Sequence, residues 1–455
     1  MPTLDAMLER TRLLFGERAA FVGEGGRRTW QEHLGRVRRI AGALARLGIG
    51  RADRFGVIAR NSERQAELFH AAYWRGAVAV PVNYRLAPPE ISFVLDDADV
   101  SVVFAEAEFA ALAGQRRVIV FEGGEADTRE FERLVDGAES VDRSDNRPDD
   151  VALLLYTGGT TGRSKGVPLT HRNVLANAMQ LTHAMAPRND DVFLHVAPMF
   201  HSADLLSTPY TLVGAAHTYL ARFSGADALR AMARHGVSVS MLTPTMVVAL
   251  LDARHSEAPS RFRHLFYGSS PFPPDRIRET ALAFPGIDLQ QGYGLTETSP
   301  ILTTLDPAEH RAALAGGDTQ LLRSVGRPLI GVDLRIADAA GRPVPPGEIG
   351  EIAVRGPNVM SGYHNRPDET REAIRGGWFH TGDLGTLDAR GFLFLLDRKK
   401  DMIITGGENV YSVEVEAVLA GHPGIREVAI VGVPDPYYGE ALLAVLVPNA
   451  GATLT

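Results

Sequence analysis

The chain has 455 residues, of which 45% are hydrophobic and 22% charged, and it contains no cysteine. The lack of cysteine excludes disulfides, thiolate metal sites and cysteine nucleophiles. The 47 basic and 55 acidic residues give a net charge of −8, which argues against a surface for nucleic acid or anionic membrane. No stretch approaches about 18 uninterrupted apolar residues and no secretory signal is visible, so we expect a cytoplasmic protein without a membrane span.

Helix and strand patterns alternate over the first third of the chain. Residues 29 to 47 begin with Thr29 and Glu32 in capping-box spacing and carry apolar residues on one face, which predicts a helix. A strand pattern, "RFGVIAR", precedes a helix opened by Asn61, and further strands flank a helix after Pro89. This alternation predicts a parallel or mixed α/β sheet covered on both faces.

The pattern changes in the last third of the chain. After about residue 330, short strands are punctuated by glycine and proline, which predicts a β-rich subdomain. From Ser412, one helix and two strands start a further α+β unit, which looks unfinished where the sequence stops at Thr455.

The stretch "TGGTTGRSKG", residues 157 to 166, has the composition of a phosphate-binding loop. It does not fit a Walker A loop, because Ser164 replaces the last glycine and Pro168 delays the helix, whose predicted cap is Thr170. Its backbone amides, its hydroxyls and Lys165 still suit phosphate oxygens. A flexible surface turn is the alternative interpretation.

Four stretches in order give a family resemblance: "YTGGTTGRSKG", "QGYGLTET", "GWFHTGDLG" and "LDRKKDMIITGGENVYSVEVE". Together they resemble the adenylate-forming superfamily, which includes acyl-CoA synthetases, aryl-CoA ligases, luciferases and peptide-synthetase adenylation domains. The chain departs from the usual loop at Gly158, often serine in the family, and at Ser164, often proline. The resemblance implies that ATP and a carboxylate give an acyl-adenylate and pyrophosphate, after which a thiol displaces AMP.

The resemblance also implies a fold and a domain division. We expect an α/β protein with a large N-terminal domain of stacked mixed sheets and helices over residues 1–396, including a β-rich subdomain at about 325–396. Residues 397–455 would start a small, mobile α+β domain. The family's adenylating lysine would lie beyond Thr455, so we expect the 455-residue form to bind ATP but to adenylate slowly.

The resemblance assigns the nucleotide-binding residues. Tyr293 would face the adenine, Thr296 the α-phosphate and Glu297 a Mg²⁺ ion, for which a carboxylate oxygen is a suitable ligand. Asp383 would accept hydrogen bonds from the ribose. The remaining ATP-binding positions are Thr157, Gly158, Gly159, Thr160, Thr161, Gly162, Lys165, Gly292 and Arg398. A buried aromatic for Tyr293, a surface acid for Glu297 and an Asx-turn for Asp383 are the alternatives.

The segment from residue 398 onward would contain the hinge and the thiol-binding loop. Lys400 takes the hinge position between the two domains, and Gly406 and Gly407 would let the pantetheine arm of coenzyme A pass close to the backbone. A solvated charged loop and a hairpin turn are the alternatives. The chain has only three lysines: Lys165 in the phosphate-binding loop, and Lys399 and Lys400 at the hinge. At both places an ammonium is not interchangeable with a guanidinium.

The acyl pocket is the least specific part of the resemblance. His201 in "HVAPMFHSADLLSTP" would be a gate or wall, although a structural histidine is as good an explanation. Gly268, Ser269 and Gly294 would lie near the junction of acyl group and nucleotide. The stretches are mostly apolar, which suits an aliphatic or aromatic acid.

The sequence thus predicts an AMP-forming carboxylic acid–CoA ligase that uses ATP, Mg²⁺ and coenzyme A, with a fatty or aryl acid as substrate. An enzyme that loads the phosphopantetheine of a carrier protein, and a catalytically impaired nucleotide-binding protein, are the alternatives. No nucleic-acid partner is expected, and a homodimer is possible. The failed Walker spacing argues against a P-loop kinase or GTPase.

Overall fold

The computed structural model describes residues 2–124, 127–158, 164–253, 259–398, 402–405, 408–435 and 439–449. Among these residues, no helix combines the length and the apolar character that crossing a membrane requires. The α-helices, in chain order, are α1 Leu4–Phe15, α2 Trp30–Arg46, α3 Glu63–Arg75, α4 Pro88–Asp97, α5 Arg129–Asp136, α6 His171–Met185, α7 Thr208–Leu212, α8 Gly225–His235, α9 Pro244–Asp252, α10 Pro274–Ala283, α11 Pro307–Leu314, α12 Pro367–Ala373 and α13 Ser412–Ala420.

Most strands are short and belong to four sheets. The strands are β1 Ala19–Gly23, β2 Gly26–Thr29, β3 Arg54–Ile58, β4 Val78–Pro81, β5 Val102–Glu106, β6 Arg117–Glu122, β7 Val151–Thr157, β8 Lys165–Thr170, β9 Val192–His195, β10 Ala216–Tyr219, β11 Val239–Leu242, β12 His264–Gly268, β13 Asp288–Tyr293, β14 Thr303–Leu305, β15 Arg327–Pro328, β16 Asp333–Ala337, β17 Gly350–Arg355, β18 Ile374–Arg375, β19 Trp378–Leu387, β20 Leu393–Arg398, β21 Ile403–Thr405, β22 Glu408–Val410, β23 Ile425–Asp435 and β24 Gly439–Pro448.

Local signals place several helix ends where the sequence predicts them. Before α2, the Thr29 hydroxyl accepts from the Glu32 backbone N–H and the Glu32 carboxylate accepts from the Thr29 N–H, a complete capping box. Thr170 caps α6 in the same way, just after the proline that delays the helix. One boundary differs: α3 begins after Ser62, not at Asn61. The Asn61 amide instead donates to the Ala197 carbonyl at 2.9 Å, a contact between two sheets that no local pattern reveals.

Two large sheets form the body of the protein. One has nine strands in the order β15-β14-β13-β12-β11-β9-β10-β1-β2, and the other has six in the order β6-β5-β3-β4-β7-β8. The central strands β10, β9, β11, β12 and β13 run parallel, as do β6, β5, β3, β4 and β7. The predicted mixed α/β architecture is confirmed.

Alternate residues of these strands pack into different hydrophobic clusters. Phe266 of β12 lies in a cluster that also contains Phe104 of β5 and Trp74 of α3, so this core joins the inner faces of both large sheets. The next residue, Tyr267, faces a second cluster, formed with α8 to α11. Both faces of a parallel sheet are therefore covered, which explains its nearly continuous apolar strands.

The rest of the chain is richer in β-structure, as predicted. Strands β16 to β20 form a five-stranded sheet, and β21 to β24 form a four-stranded sheet next to α13 in the chain. The predicted domain boundary between residues 396 and 397 falls near the end of β20, and the division itself stays a prediction.

Candidate active site

A cavity of about 900 Å³ opens at one edge of the nine-stranded sheet. Strands β9, β11, β12 and β13 are parallel, so their carboxyl ends meet there. Residues just beyond these four ends, Pro198, Thr243, Ser269 and Gly294, line the cavity. This is the edge at which open α/β sheets bind ligands, because the loops after successive strands diverge there.

The hairpin of β7 and β8 brings the predicted phosphate-binding residues to this cavity. Thr157 and Lys165 are antiparallel partners at the loop end of the hairpin, and both line the cavity together with Gly158. The register thus places a hydroxyl, a flexible backbone position and an ammonium side by side. The predictions for Gly159, Thr160, Thr161 and Gly162 lie outside the described residues.

The turn after β13 carries the second group of predicted residues. Gly292, Gly294, Thr296 and Glu297 all line the cavity. A Cβ atom on Gly294 would lie 2.0 Å from the Pro300 carbonyl oxygen, so the turn can close only around glycine.

Buried amides hold this turn from behind. Asn177 of α6 donates to the Ile301 carbonyl at 2.7 Å and accepts from the Ile301 N–H at 3.2 Å. Asn358 donates to the carbonyls of Thr298 at 2.8 Å and Ile301 at 3.2 Å. Both asparagines are completely buried, and α6 directly follows the hairpin that bears Lys165. These bonds therefore connect the two predicted nucleotide-binding motifs.

Glu297 is an enclosed carboxylate with a positive charge nearby. Burial raises the pKa of Glu297, and the negative charge of Asp383 raises it further. Three groups act in the opposite direction and lower this pKa: the backbone N–H of Glu297, the Tyr363 hydroxyl and the charge of Lys165. A cation in the cavity would offset this desolvation.

The donor set suits the Mg²⁺ that the fold family implies. No cluster of three or more histidine and acidic residues capable of holding a metal occurs in the described part of the chain. Mg²⁺ commonly binds through one or two carboxylates together with substrate phosphates, and Glu297 lines the cavity beside Thr296. Glu297 would hold the ion, which supplies neutralisation of phosphate charge when it is bound.

Strand β19 contributes the predicted ribose ligand. Thr381, Gly382 and Asp383 line the cavity, and the Tyr293 hydroxyl donates to Asp383 Oδ2 at 2.7 Å. Tyr293 is buried and reaches the site through this bond, while its neighbours Gly292 and Gly294 form the cavity wall. The stacking of Tyr293 on adenine stays a prediction.

The segment after β9, which the sequence predicts to line the acyl pocket, forms another part of the cavity wall. His201, Ser202, Ala203 and Leu206 line the cavity, the last three on a short 3-10 helix, Ser202–Ser207. His201 is exposed at the cavity surface, and the partial desolvation that remains there, followed by the charge of Arg85, lowers its pKa.

Two features connect the acyl end to its surroundings. The Ser202 and Thr296 hydroxyls are 3.2 Å apart, so the predicted acyl wall touches the predicted nucleotide-binding turn. Gly268 and Ser269 line the cavity from the end of β12, and their place at the junction of acyl group and nucleotide stays a prediction. Asp204 faces away from the main cavity and pairs with His195 Nδ1 at 2.5 Å, so it is a structural acid behind the wall.

Some predicted residues cannot be placed in this cavity. Lys400, Gly406 and Gly407 lie outside the described residues. Arg398 ends β20, where its backbone pairs in register with Asp383, and its side chain is not among those described. The hinge and coenzyme A assignments therefore stay predictions.

The sequence motifs missed Tyr363, which also lines the cavity. Its hydroxyl donates to Glu297 Oε1 at 2.9 Å, and its ring centre lies 5.1 Å from the Lys165 ammonium. The stretch around it, "SGYHN", reads only as a turn between two elements. No spacing in the sequence indicates that this turn contacts residues about 66 and 198 positions earlier.

Comparison with known proteins agrees with this geometry. Residues 8–364 match the AMP-binding enzyme family, and residues 414–455 match the C-terminal domain of AMP-binding enzymes. The chain is 38% identical over 452 residues to feruloyl-CoA synthase of Amycolatopsis sp, covering 96% of this chain and 87% of that protein. It is 34% identical over 457 residues to 2-succinylbenzoate–CoA ligase of Bacillus cereus (strain Q1), covering 100% of this chain and 90% of the relative.

Solved structures show the same similarity. The o-succinylbenzoate CoA synthetase of Bacillus subtilis, in complex with its acyl-adenylate intermediate, superposes with a TM-score of 0.88 at 31% identity, covering 98% of this chain and 89% of that one. ATP-bound MatB from Rhodopseudomonas palustris gives a TM-score of 0.89 at 31% identity, covering 100% and 90% of the two chains. The family match spans most of the chain, and the four sequence motifs occur in the order typical of such enzymes, so the chain belongs to the AMP-binding enzyme family.

Proposed function

We propose that this protein joins coenzyme A to a monocarboxylic acid with an uncharged, largely apolar body, fatty or aryl, through an acyl-adenylate formed from ATP. The general activity, AMP-forming acid–CoA ligation, is supported by the family and by relatives that are named CoA synthetases and ligases. The narrower substrate class rests on the distribution of charge along the cavity.

The charged residues in the described lining of the cavity are all ones that the sequence predicts to serve the nucleotide and its metal. They are Lys165, Glu297 and Asp383. The acyl end instead presents apolar side chains with a few neutral polar groups, and its histidine, His201, has a lowered pKa. The apolar residues include Ala203, Leu206, Met241, Phe266, Leu295 and Ile301. A second carboxylate on the substrate would be desolvated there with no cationic side chain in the described lining, because Arg85, whose charge acts on His201, lies outside that lining. Such burial of a charge is strongly unfavourable.

The cavity also suggests how the adenylation step is supported. Lys165 and the backbone at Gly158 would hold the triphosphate, Thr296 and Glu297 the α-phosphate and its metal, and Asp383 the sugar. Gly268, Ser269 and Gly294 would leave room for the acid to meet the α-phosphate. Catalysis here is mainly positioning and charge neutralisation, because a carboxylate has to approach a triphosphate.

Matched pairs of acids test the proposal. Octanoate and suberate, or cinnamate and 4-carboxycinnamate, would be compared with ATP, Mg²⁺ and coenzyme A, following thioester and AMP formation. We expect the acid with the neutral tail to be preferred at least about tenfold in kcat/KM within each pair. Equal use of the dicarboxylic acids would contradict the substrate class, and the two pairs also compare fatty with aryl acids.

The thiol acceptor is tested in the same assay. Free coenzyme A and a phosphopantetheine carrier protein would be offered at equal concentration, and we expect thioester on coenzyme A. Transfer to the carrier alone, or the absence of acid-dependent pyrophosphate release with every acid, would refute the ligase proposal.

A further inference from the structure

A lysine and a glutamate of opposite charge share this cavity without forming an ion pair. Glu297 is only 8% exposed, and Lys165 is partly buried. Opposite charges attract strongly in such an enclosed site, because little water screens them. Within the described part of the chain, however, no ion pair within 4.0 Å joins these two side chains, although the charge of Lys165 acts on Glu297.

Tyr363 is in contact with both of them. Its ring faces the Lys165 ammonium at 5.1 Å, within the range of a cation–π interaction. Its hydroxyl donates to Glu297 Oε1 at 2.9 Å. One side chain thus gives each charge a partner.

The backbone around Tyr363 is anchored to both motifs. The Met360 N–H donates to the Glu297 carbonyl at 2.8 Å, and the His364 N–H donates to the Gly166 carbonyl at 2.8 Å. The Tyr363 N–H donates to the Thr370 hydroxyl at 2.9 Å. The position of the ring relative to both charges is therefore determined by hydrogen bonds on three sides.

We infer that Tyr363 is a positioning residue that prevents Lys165 and Glu297 from pairing, so that the ammonium stays available to the triphosphate and the carboxylate to magnesium. The inference rests on the proposed function of this cavity. It assigns a role to a residue outside the four motifs, and it concerns the enzyme before the nucleotide binds.

Nucleotide binding by variants tests this role without catalysis. Calorimetry would measure the affinity for α,β-methylene-ATP, which cannot release pyrophosphate and so cannot transfer AMP to an acid, first without metal and then over a range of Mg²⁺ concentrations. Tyr363→Leu removes both contacts, so Lys165 should pair with Glu297 and metal-free affinity should fall about tenfold. Tyr363→Phe keeps the ring and should mainly raise the Mg²⁺ concentration needed for half-maximal binding.

A double variant separates this role from a structural one. In Tyr363→Leu with Glu297→Gln, Lys165 no longer has a carboxylate to pair with, so metal-free affinity should recover to within about threefold of the parent protein. Tyr267→Phe is the control. This substitution also removes a buried tyrosine hydroxyl, which forms a 2.7 Å hydrogen bond with His310, but on the opposite face of the sheet. It should bind the nucleotide normally.

Two results would overturn the inference: parental affinity and Mg²⁺ dependence in both single variants, or a double variant that binds no better than Tyr363→Leu. If Tyr363→Leu does not fold, the Mg²⁺ dependence of Tyr363→Phe decides alone. A parent protein that binds the nucleotide but adenylates no acid would count against the proposed function and leave this test intact.

Discussion

Three glycines in the cavity wall are positions where one methyl group would collide with the protein. A Cβ atom at Gly268 would lie 2.4 Å from the Gly292 carbonyl oxygen, and one at Gly292 would lie 2.3 Å from Phe266 Cζ. At Gly294 the obstacle is the Pro300 carbonyl oxygen, which is backbone and cannot rotate away. Close approach of these backbone segments is what gives the cavity its shape.

We predict that Gly294→Ala displaces the turn that carries Glu297. Misplacing a reacting group by about 1 Å can cost about a hundredfold in rate, so acid-dependent pyrophosphate exchange should fall by at least that factor. Gly35→Ala is the control, because Gly35 lies in α2 with nothing within 4 Å of an added Cβ. The control should gain about 0.5–1 kcal/mol of stability. Unchanged exchange in Gly294→Ala would contradict this prediction.

Among the elements, helix α6 binds two other segments of the chain through the side chains of two asparagines. Its residues Asn173 and Asn177, one turn apart, point amides at different segments. Asn173 donates to the carbonyls of Pro357 at 3.0 Å and Val359 at 2.9 Å, and Asn177 binds both backbone groups of Ile301. The helix therefore fixes the segment around Val359 and the segment around Ile301 relative to each other.

We predict that Asn177→Leu weakens both stability and nucleotide binding. The substitution leaves the Ile301 N–H buried without its partner, which should cost about 1–3 kcal/mol of the free energy of unfolding. Denaturant unfolding would measure this loss, and the KM for ATP should rise because the turn is less well fixed. Met179→Ala, at an exposed position of α6, should change neither. A stable Asn177→Leu protein with an unchanged KM for ATP would refute the proposal that Asn177 fixes this turn.

At the scale of the whole molecule, several histidines are buried and neutral. Burial lowers the pKa of His70 to about 3 and of His264 and His310 to about 4, and it lowers those of His33 and His217 well below the ordinary value. The unfolded chain binds protons at these residues near pH 6.5, whereas the folded chain does not. Their contribution to stability is therefore complete above about pH 6.5 and is lost as the pH falls toward 4.

We predict that the protein becomes progressively less stable below about pH 6.5. Each such histidine contributes a slope of about 1.4 kcal/mol per pH unit, measurable by denaturant unfolding between pH 8 and pH 5. His264→Phe should reduce the slope by about that amount, whereas the exposed His422→Gln should not change it. A stability that is flat from pH 8 to pH 5 would contradict the prediction.

Local sequence patterns predicted those parts of the site that depend on neighbours in the chain. The loop before Lys165, the turn containing Thr296 and Glu297 and the strand containing Asp383 each form a recognisable motif, and the structure places these residues around one cavity. Tyr363, Asn177 and Asn358 were not predictable, because their contacts with the site span 57 to 198 positions along the chain and leave no periodic signal.

By itself, the sequence determined the family, the mixed α/β class, the helix caps at Thr29 and Thr170 and the kinds of group that the cavity would contain. These follow from short-range physics: side-chain periodicity, capping hydrogen bonds and the chemistry of single residues. Tertiary structure alone decided that strands from different parts of the chain end at one edge, and that the segment after β9 adds no acid, lysine or arginine to the described lining of the cavity. It also decided that Tyr363 contacts both Lys165 and Glu297. Those facts depend on strand order and on packing between distant parts of the chain. Both are set by the free energy of the whole fold, so no local segment encodes them.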